Sequence, residues 1–150
     1  MSTDLITVRE ELICARRWME RTFQTETGSM LCAIMAMKLW RRLNKLGYDV
    51  RIAKAFSCPP YAHCFVILHH ENVNYIIDVT AMQFLNREEF RVVFRPLPNR
   101  SEHNFWQPVQ LFDTAAEALK KLRQSGWFEA QLVQREFLRH YCGAFDALAA

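Results

Sequence analysis

The stretch His63-Cys64-Phe65-Val66-Ile67-Leu68-His69-His70-Glu71-Asn72-Val73-Asn74-Tyr75-Ile76-Ile77-Asp78-Val79-Thr80 reads as two strands joined by a short polar turn. The segments His63 to His69 and Asn74 to Val79 are rich in β-branched and aromatic residues, which suit a pleated, packed surface. A two-residue turn at Glu71-Asn72 sets His70 opposite Val73. Carried outward, that pairing sets His63 opposite Thr80 and Asp78 opposite Phe65. His63 and Asp78 then share one side of the hairpin as diagonal neighbours, about 7–8 Å apart at the backbone and within side-chain reach. A turn at His70-Glu71 makes them direct partners on that same side. A slip of a single residue would put them on opposite faces.

Working outward, two helices are expected before the hairpin. Thr7 is placed to cap a helix from Val8 to about Phe23, with Glu10 as its capping-box partner and Leu12, Ala15, Trp18 and Met19 on one face. A second helix is expected from near Ser29 to Gly47. Leu31, Ile34, Met35, Leu39, Leu43 and Leu46 recur at helical spacing, and Gly47 sits where a left-handed cap is wanted. Tyr48 to Ala55 reads as a strand, and Cys58, before Pro59 and Pro60, as loop. After the hairpin, Phe90 to Arg95 reads as a further strand stopped by Pro96 and Pro98. Asp113 or Thr114 caps a helix through Leu122 that stops at Gly126, and Trp127 to Tyr141 reads as a last helix. With no repeat or linker, residues 1–150 form one domain. The order predicts an α+β fold, with N-terminal helices on an antiparallel sheet of three to four strands and helices at the end.

The bulk composition excludes several function classes. Of 150 residues, 51% are hydrophobic, enough to build a core, so disorder is not expected. A formal net charge of +3 with no basic stripe interleaved with aromatics argues against nucleic acid. The densest basic stretch, Lys38, Arg41, Arg42 and Lys45, reads as the solvated back of the second helix. No run approaches the ~18 apolar residues of a membrane span. Residues 1–10 carry two acids and lack the layout of a signal peptide. The five cysteines, Cys14, Cys32, Cys58, Cys64 and Cys142, contain no CxxC pair, so neither a zinc site nor any other cofactor is expected, and a reducing cytoplasm is the simplest setting. Export or injection without a cleaved signal peptide remains compatible with the same residues.

Cys32 carries the chemical expectation. A free thiol with a pKa of ~8.5 is mostly protonated at neutral pH, and a helix N-terminus or a neighbouring imidazolium lowers that value. Cys32 falls in the first turn of the second helix, just after Thr27-Gly28-Ser29. Unpaired N–H groups there suit a thiolate and the oxyanion of acyl transfer. The hairpin holds an imidazole and a carboxylate in fixed relation. Cys32 as nucleophile, His63 as base and Asp78 as orienting group form the arrangement that an activated nucleophile needs. Taken singly, each residue reads as structural: a small core thiol, a satisfied histidine, a turn cap. The three together fall where the mechanism needs them. Cys64 points to the face opposite His63 and reads as core. Trp106 reads as the edge of the core, and His69-His70 as an exposed hairpin tip.

The segments Gly28 to Ala53 and Ala62 to Phe84, ending in Asp78-Val79-Thr80-Ala81-Met82-Gln83-Phe84, resemble the transglutaminase-like branch of the papain-like fold. Small bacterial papain-fold toxins and glutamine deamidases end this strand in a similar way. The resemblance implies Cys32, His63 and Asp78 as catalytic, and a peptidase, deamidase or transglutaminase acting on a protein or peptide substrate. It also implies an effector or toxin setting, with an immunity or host protein as partner. Gln24, eight residues before Cys32, and Gln83 are the glutamines that the resemblance offers as oxyanion donors. A papain-like scaffold without activity, serving as a protein-binding module, is the alternative. The papain aromatic beside the nucleophile is absent, since Leu31 and Ala33 flank Cys32, and Cys64 replaces the hydrophobic residue after His63.

Overall fold

The hairpin forms as the sequence predicts. In the computed structural model, which describes residues 3–28, 31–58, 61–100 and 103–124, strand β2 (Tyr61–His70) runs antiparallel to β3 (Val73–Asp78). His70 pairs with Val73 and Val66 with Ile77. Glu71 and Asn72 both take positive φ, 50° and 63°. This is the two-residue turn whose twist matches that of the strands it joins.

Strand β1 (Asp49–Cys58) pairs antiparallel with the other side of β2, with a register shift between Phe56 and Cys58. Cys58 therefore lies in a strand rather than a loop: pairing of Cys58 with Tyr61 carries the ladder to the prolines. Strand β4 (Val93–Pro96) flanks β3, and the short β5 (Gln110–Phe112) flanks β1. The sheet has five strands in the order β4-β3-β2-β1-β5, against the three to four expected. β5 is only three residues long, too short to announce itself by alternation. The expected strand at Phe90 begins later, because Glu88–Phe90 forms a single 3-10 turn first.

Helix α1 spans Thr3–Phe23, a turn earlier than the Thr7 cap suggested, and Thr7 lies inside it. Leu5, Val8, Leu12, Ala15 and Met19 form one continuous buried stripe, so burying Leu5 favours the extra turn over a cap. Helix α2 (Cys32–Lys45) starts at Cys32 rather than near Ser29. Every residue from Cys32 to Met37 is buried, so this half of α2 is enclosed all round. Trp40 donates its indole N–H to the Val50 carbonyl at 3.1 Å, tying α2 to β1. Gly47 ends the helix at φ +92°, as expected. Helix α3 (Ala115–Gln124) begins after Thr114, whose hydroxyl accepts from the Glu117 N–H at 3.1 Å. The expected helix Trp127 to Tyr141 lies outside the described residues.

Strand alternation gives the sheet two different faces. Cys64, Val66, Leu68 and Ile77 join the core built with α1 and α2. Phe65, Ile67 and Ile76 point the other way, into a second cluster with Phe90, Val93 and Trp106. The architecture is α+β with an antiparallel sheet packed on helices. Among the described residues, no helix is long and apolar enough to cross a membrane.

Candidate active site

His63 and Asp78 point to the face of the second cluster, where their neighbours in the strand, Phe65 and Ile76, also lie. His63 Nε2 lies 2.7 Å from Asp78 Oδ2, with both side chains fully enclosed (0% and 2% exposed). Three further donors converge on the same carboxylate. Trp106 donates its indole N–H to Oδ2 at 2.9 Å. The Thr80 backbone N–H and hydroxyl reach Oδ1 at 2.9 and 3.1 Å. Burial alone would raise the Asp78 pKa, but the His63 charge and these donors lower it below the ordinary carboxylate value.

Phe65 stacks on the imidazole, and Phe84 and Phe105 meet it edge-on, Phe84 with ring centroids 4.9 Å apart. Phe84 and Phe105 also stack on each other at 4.6 Å. This aromatic collar fixes the ring plane and leaves Nδ1 as the only nitrogen available for chemistry. Nδ1 is buried and meets no partner at hydrogen-bond geometry.

Cys32 is the first residue of α2 and is 3% exposed. Its pKa is lowered to about 5. The Cys64 thiol, donating toward it, is the largest cause; burial opposes, and His63 adds both hydrogen-bonding and charge. Burial would lower the His63 pKa, but the Asp78 charge and hydrogen bond, aided by Cys32, raise it to about 10. The hydrogen bond with Cys32, and then burial, push the Cys64 thiol well up, so it stays protonated. Both shifts run in the direction that favours thiolate and imidazolium over the neutral pair. His63 and the Cys32 sulfur interact while Nδ1 meets no partner at full hydrogen-bond geometry, and catalytic contacts of this kind commonly tighten when substrate binds.

The loop that delivers Cys32 is held by contacts absent from the sequence reading. Arg16, on α1, is 2% exposed. Its guanidinium donates to the Val79 carbonyl at 2.7 Å, to the Glu26 carbonyl, and to Glu20 Oε1 at 2.7 Å. Glu20 in turn accepts from Arg91 at 2.6 Å. One side chain therefore clamps the segment before Cys32 to the segment after Asp78. An arginine on a helix gives no signal of this clamp in sequence, because the two contacts that make it are to backbone carbonyls.

Gly28 sits inside the clamp at φ +73°. An added Cβ there would lie 3.0 Å from Met19 Cε and 3.1 Å from Thr80 Cγ2. Thr80 is fixed by its bonds to Asp78, so it has little room to yield. Gly28→Ala should destabilise the protein by about 2–4 kcal/mol, combining left-handed strain with overpacking. Thermal melting checks this; an unchanged melting temperature would show that the loop relaxes freely.

Cys32, His63 and Asp78 are thus brought together. The two glutamines are not equivalent. Gln24 follows α1 in a left-handed conformation (φ 51°) and is exposed. Gln83 is half-buried in a 3-10 turn after Asp78, and its Nε2 is a buried donor without a partner. Trp106, expected at the core edge, is 1% exposed and bonds the carboxylate directly. At the hairpin tip, His69 pairs with Asn74 at 2.8 Å on an exposed surface. No group of three or more potential metal ligands occurs among the described residues.

Comparison with protein-family models, curated proteins and solved structures finds no match to this chain.

Proposed function

We propose that this protein is a thiol-dependent amide hydrolase or acyltransferase of papain-like/transglutaminase-like type, with Cys32 as nucleophile, His63 as acid and base, and Asp78 as the orienting group. The observation that carries the reading is a buried imidazole bonded to a carboxylate through one nitrogen, its other nitrogen left without a protein partner, and interacting with a thiol at a helix N-terminus. The Cys32 thiolate attacks the carbonyl carbon of a peptide or side-chain amide. Negative charge moves to the oxygen, where first-turn N–H groups of α2 are positioned to receive it. His63 gives its Nδ1 proton to the leaving amine as the C–N bond breaks, leaving a thioester on Cys32. Water then loses a proton to His63 and attacks the thioester, releasing a carboxylic acid and the thiolate. An amine in place of water gives transamidation. A protein or peptide substrate, and an effector or toxin setting, follow from the resemblance of the two quoted segments.

One observation favours a second reading, a papain-like scaffold that only binds a partner protein: Cys32 and His63 are enclosed, at 3% and 0% exposure. Alkylation of the thiols of the full chain by iodoacetamide, followed residue by residue, separates the two. The Cys32 rate should inflect near pH 5 instead of at the ordinary thiol value of ~8.5, and hold until His63 loses its proton near pH 10. The sign follows from the thiolate being the reactive form above its own pKa. At pH 6, Cys32 should react far faster than the exposed Cys14. A Cys32 that reacts no faster than Cys14 would sink the enzyme reading in favour of the scaffold. A proteome-wide comparison of cells expressing the protein or Cys32→Ala then identifies the substrate by its altered amide.

A further inference from the structure

The basic stretch of α2 does more than face solvent. Lys38, Arg41, Arg42 and Lys45, spaced three and four apart, form one wall of a groove of about 580 Å³. The other wall is Glu11, Cys14, Ala15 and Trp18 of α1, at the same spacing. Each wall runs two helical turns, about 10 Å. Glu11 lies beside Arg42, at 3.0 Å, and Trp18 beside Lys38, whose ammonium sits 4.2 Å from the ring centroid. The helices are therefore antiparallel across the groove, and its apolar lining comes from Ala15, Trp18 and Leu39.

The groove's charge is unbalanced. Among the described residues, four cations line it against a single carboxylate, Glu11, which Arg42 already engages through both oxygens. Lys38 is partly buried, and burial together with the charges of Arg41 and Arg42 depresses its pKa. Like charges crowded at one site repel one another and weaken the free protein; an anionic partner would relieve that repulsion.

We infer that this groove is a docking site for an acidic amphipathic helix of a partner protein. The shape fits an elongated segment better than a compact anion, since the groove lies between two stripes, each two turns long, with apolar residues in its lining. An occupying helix would lay apolar side chains toward Ala15 and Trp18 and direct carboxylates at Lys38, Arg41 and Lys45, the usual arrangement for a helix in a groove. The site occupies the C-terminal part of α2, whereas Cys32 is its first residue, so docking leaves the thiol cluster untouched. The inference does not depend on the activity of Cys32.

The test uses the full chain and three fluorescent probes: an acidic amphipathic helical peptide carrying Leu and Glu, a poly-glutamate peptide of equal charge, and a single-stranded oligonucleotide. The Leu-Glu peptide should bind tightest, and binding should weaken as salt rises. The double variant Arg41→Glu/Lys45→Glu, at exposed positions, should weaken it at least tenfold. Arg9→Glu/Arg17→Glu, the same charge change on exposed residues outside the groove, should not. Cys32 alkylation should be equal in all variants, which keeps this test separate from that of the enzyme reading. Equal weakening by both double variants, no binding of the Leu-Glu peptide, or equal binding of poly-glutamate or the oligonucleotide would overturn the proposal.

Discussion

Asp78→Asn should slow Cys32 alkylation at pH 6 by about 10²- to 10⁴-fold, the range over which an orienting carboxylate acts in a triad. The reason is visible in the partners. His63 Nε2 and the Trp106 indole N–H converge on one oxygen, and the Thr80 backbone N–H on the other. An asparagine has only one acceptor oxygen, so its NH₂ must face a donor whichever way it turns. If the amide donates toward His63, the imidazole takes the tautomer with its proton on Nδ1. That tautomer has no lone pair for the thiol proton, and the imidazolium has lost its counter-charge. His63 would then lose its elevated pKa, and Cys32 its thiolate. A donor left facing a donor should also cost about 1–3 kcal/mol of stability. Thermal melting and the alkylation profile read the two effects separately. A variant that melts lower but alkylates at the normal rate would show that Asp78 is only a structural anchor.

Cys32→Ala should abolish all chemistry at the site while leaving the fold in place. No second thiolate takes its place: Cys64 lies in the helix-side core, and burial still disfavours its charged form once Cys32 is gone. The sulfur is buried, so its loss leaves a small cavity costing about 1 kcal/mol by comparison with small truncations in cores. Loss of the thiolate also removes one support of the His63 charge, but Asp78 remains. A stable, inert variant that still binds its substrate fits a nucleophile. A collapse of melting temperature far beyond that of a small cavity would show Cys32 to be a core residue, and the enzyme reading should then be abandoned.

The hairpin was legible because β-strand periodicity is two, and a tight turn sets the register. Once Glu71-Asn72 is the turn, the shared side of His63 and Asp78 follows with no tertiary information. The apolar stripes of α1 and α2 were legible for a similar reason. The helix starts were not. Thr7 looks like a cap and the second helix is expected from near Ser29, but burial of Leu5 favours an earlier start for α1, and α2 begins at Cys32. Cys58 looked like loop because of the prolines that follow, yet pairing across to Tyr61 keeps it in the sheet.

By itself the sequence determined the α+β order, the hairpin register and the co-location of His63 with Asp78, all products of local spacing. Tertiary structure decided what surrounds them. Trp106 reaches Asp78 across 28 positions of chain, and Arg16 reaches Val79 across 63. It also set Gln24 on the surface, and turned the basic side of α2 into one wall of a groove shared with α1. Periodicity reports which face a residue occupies, because that depends only on backbone geometry. It carries no record of which distant donor or carbonyl meets that face, because that depends on how separate elements pack.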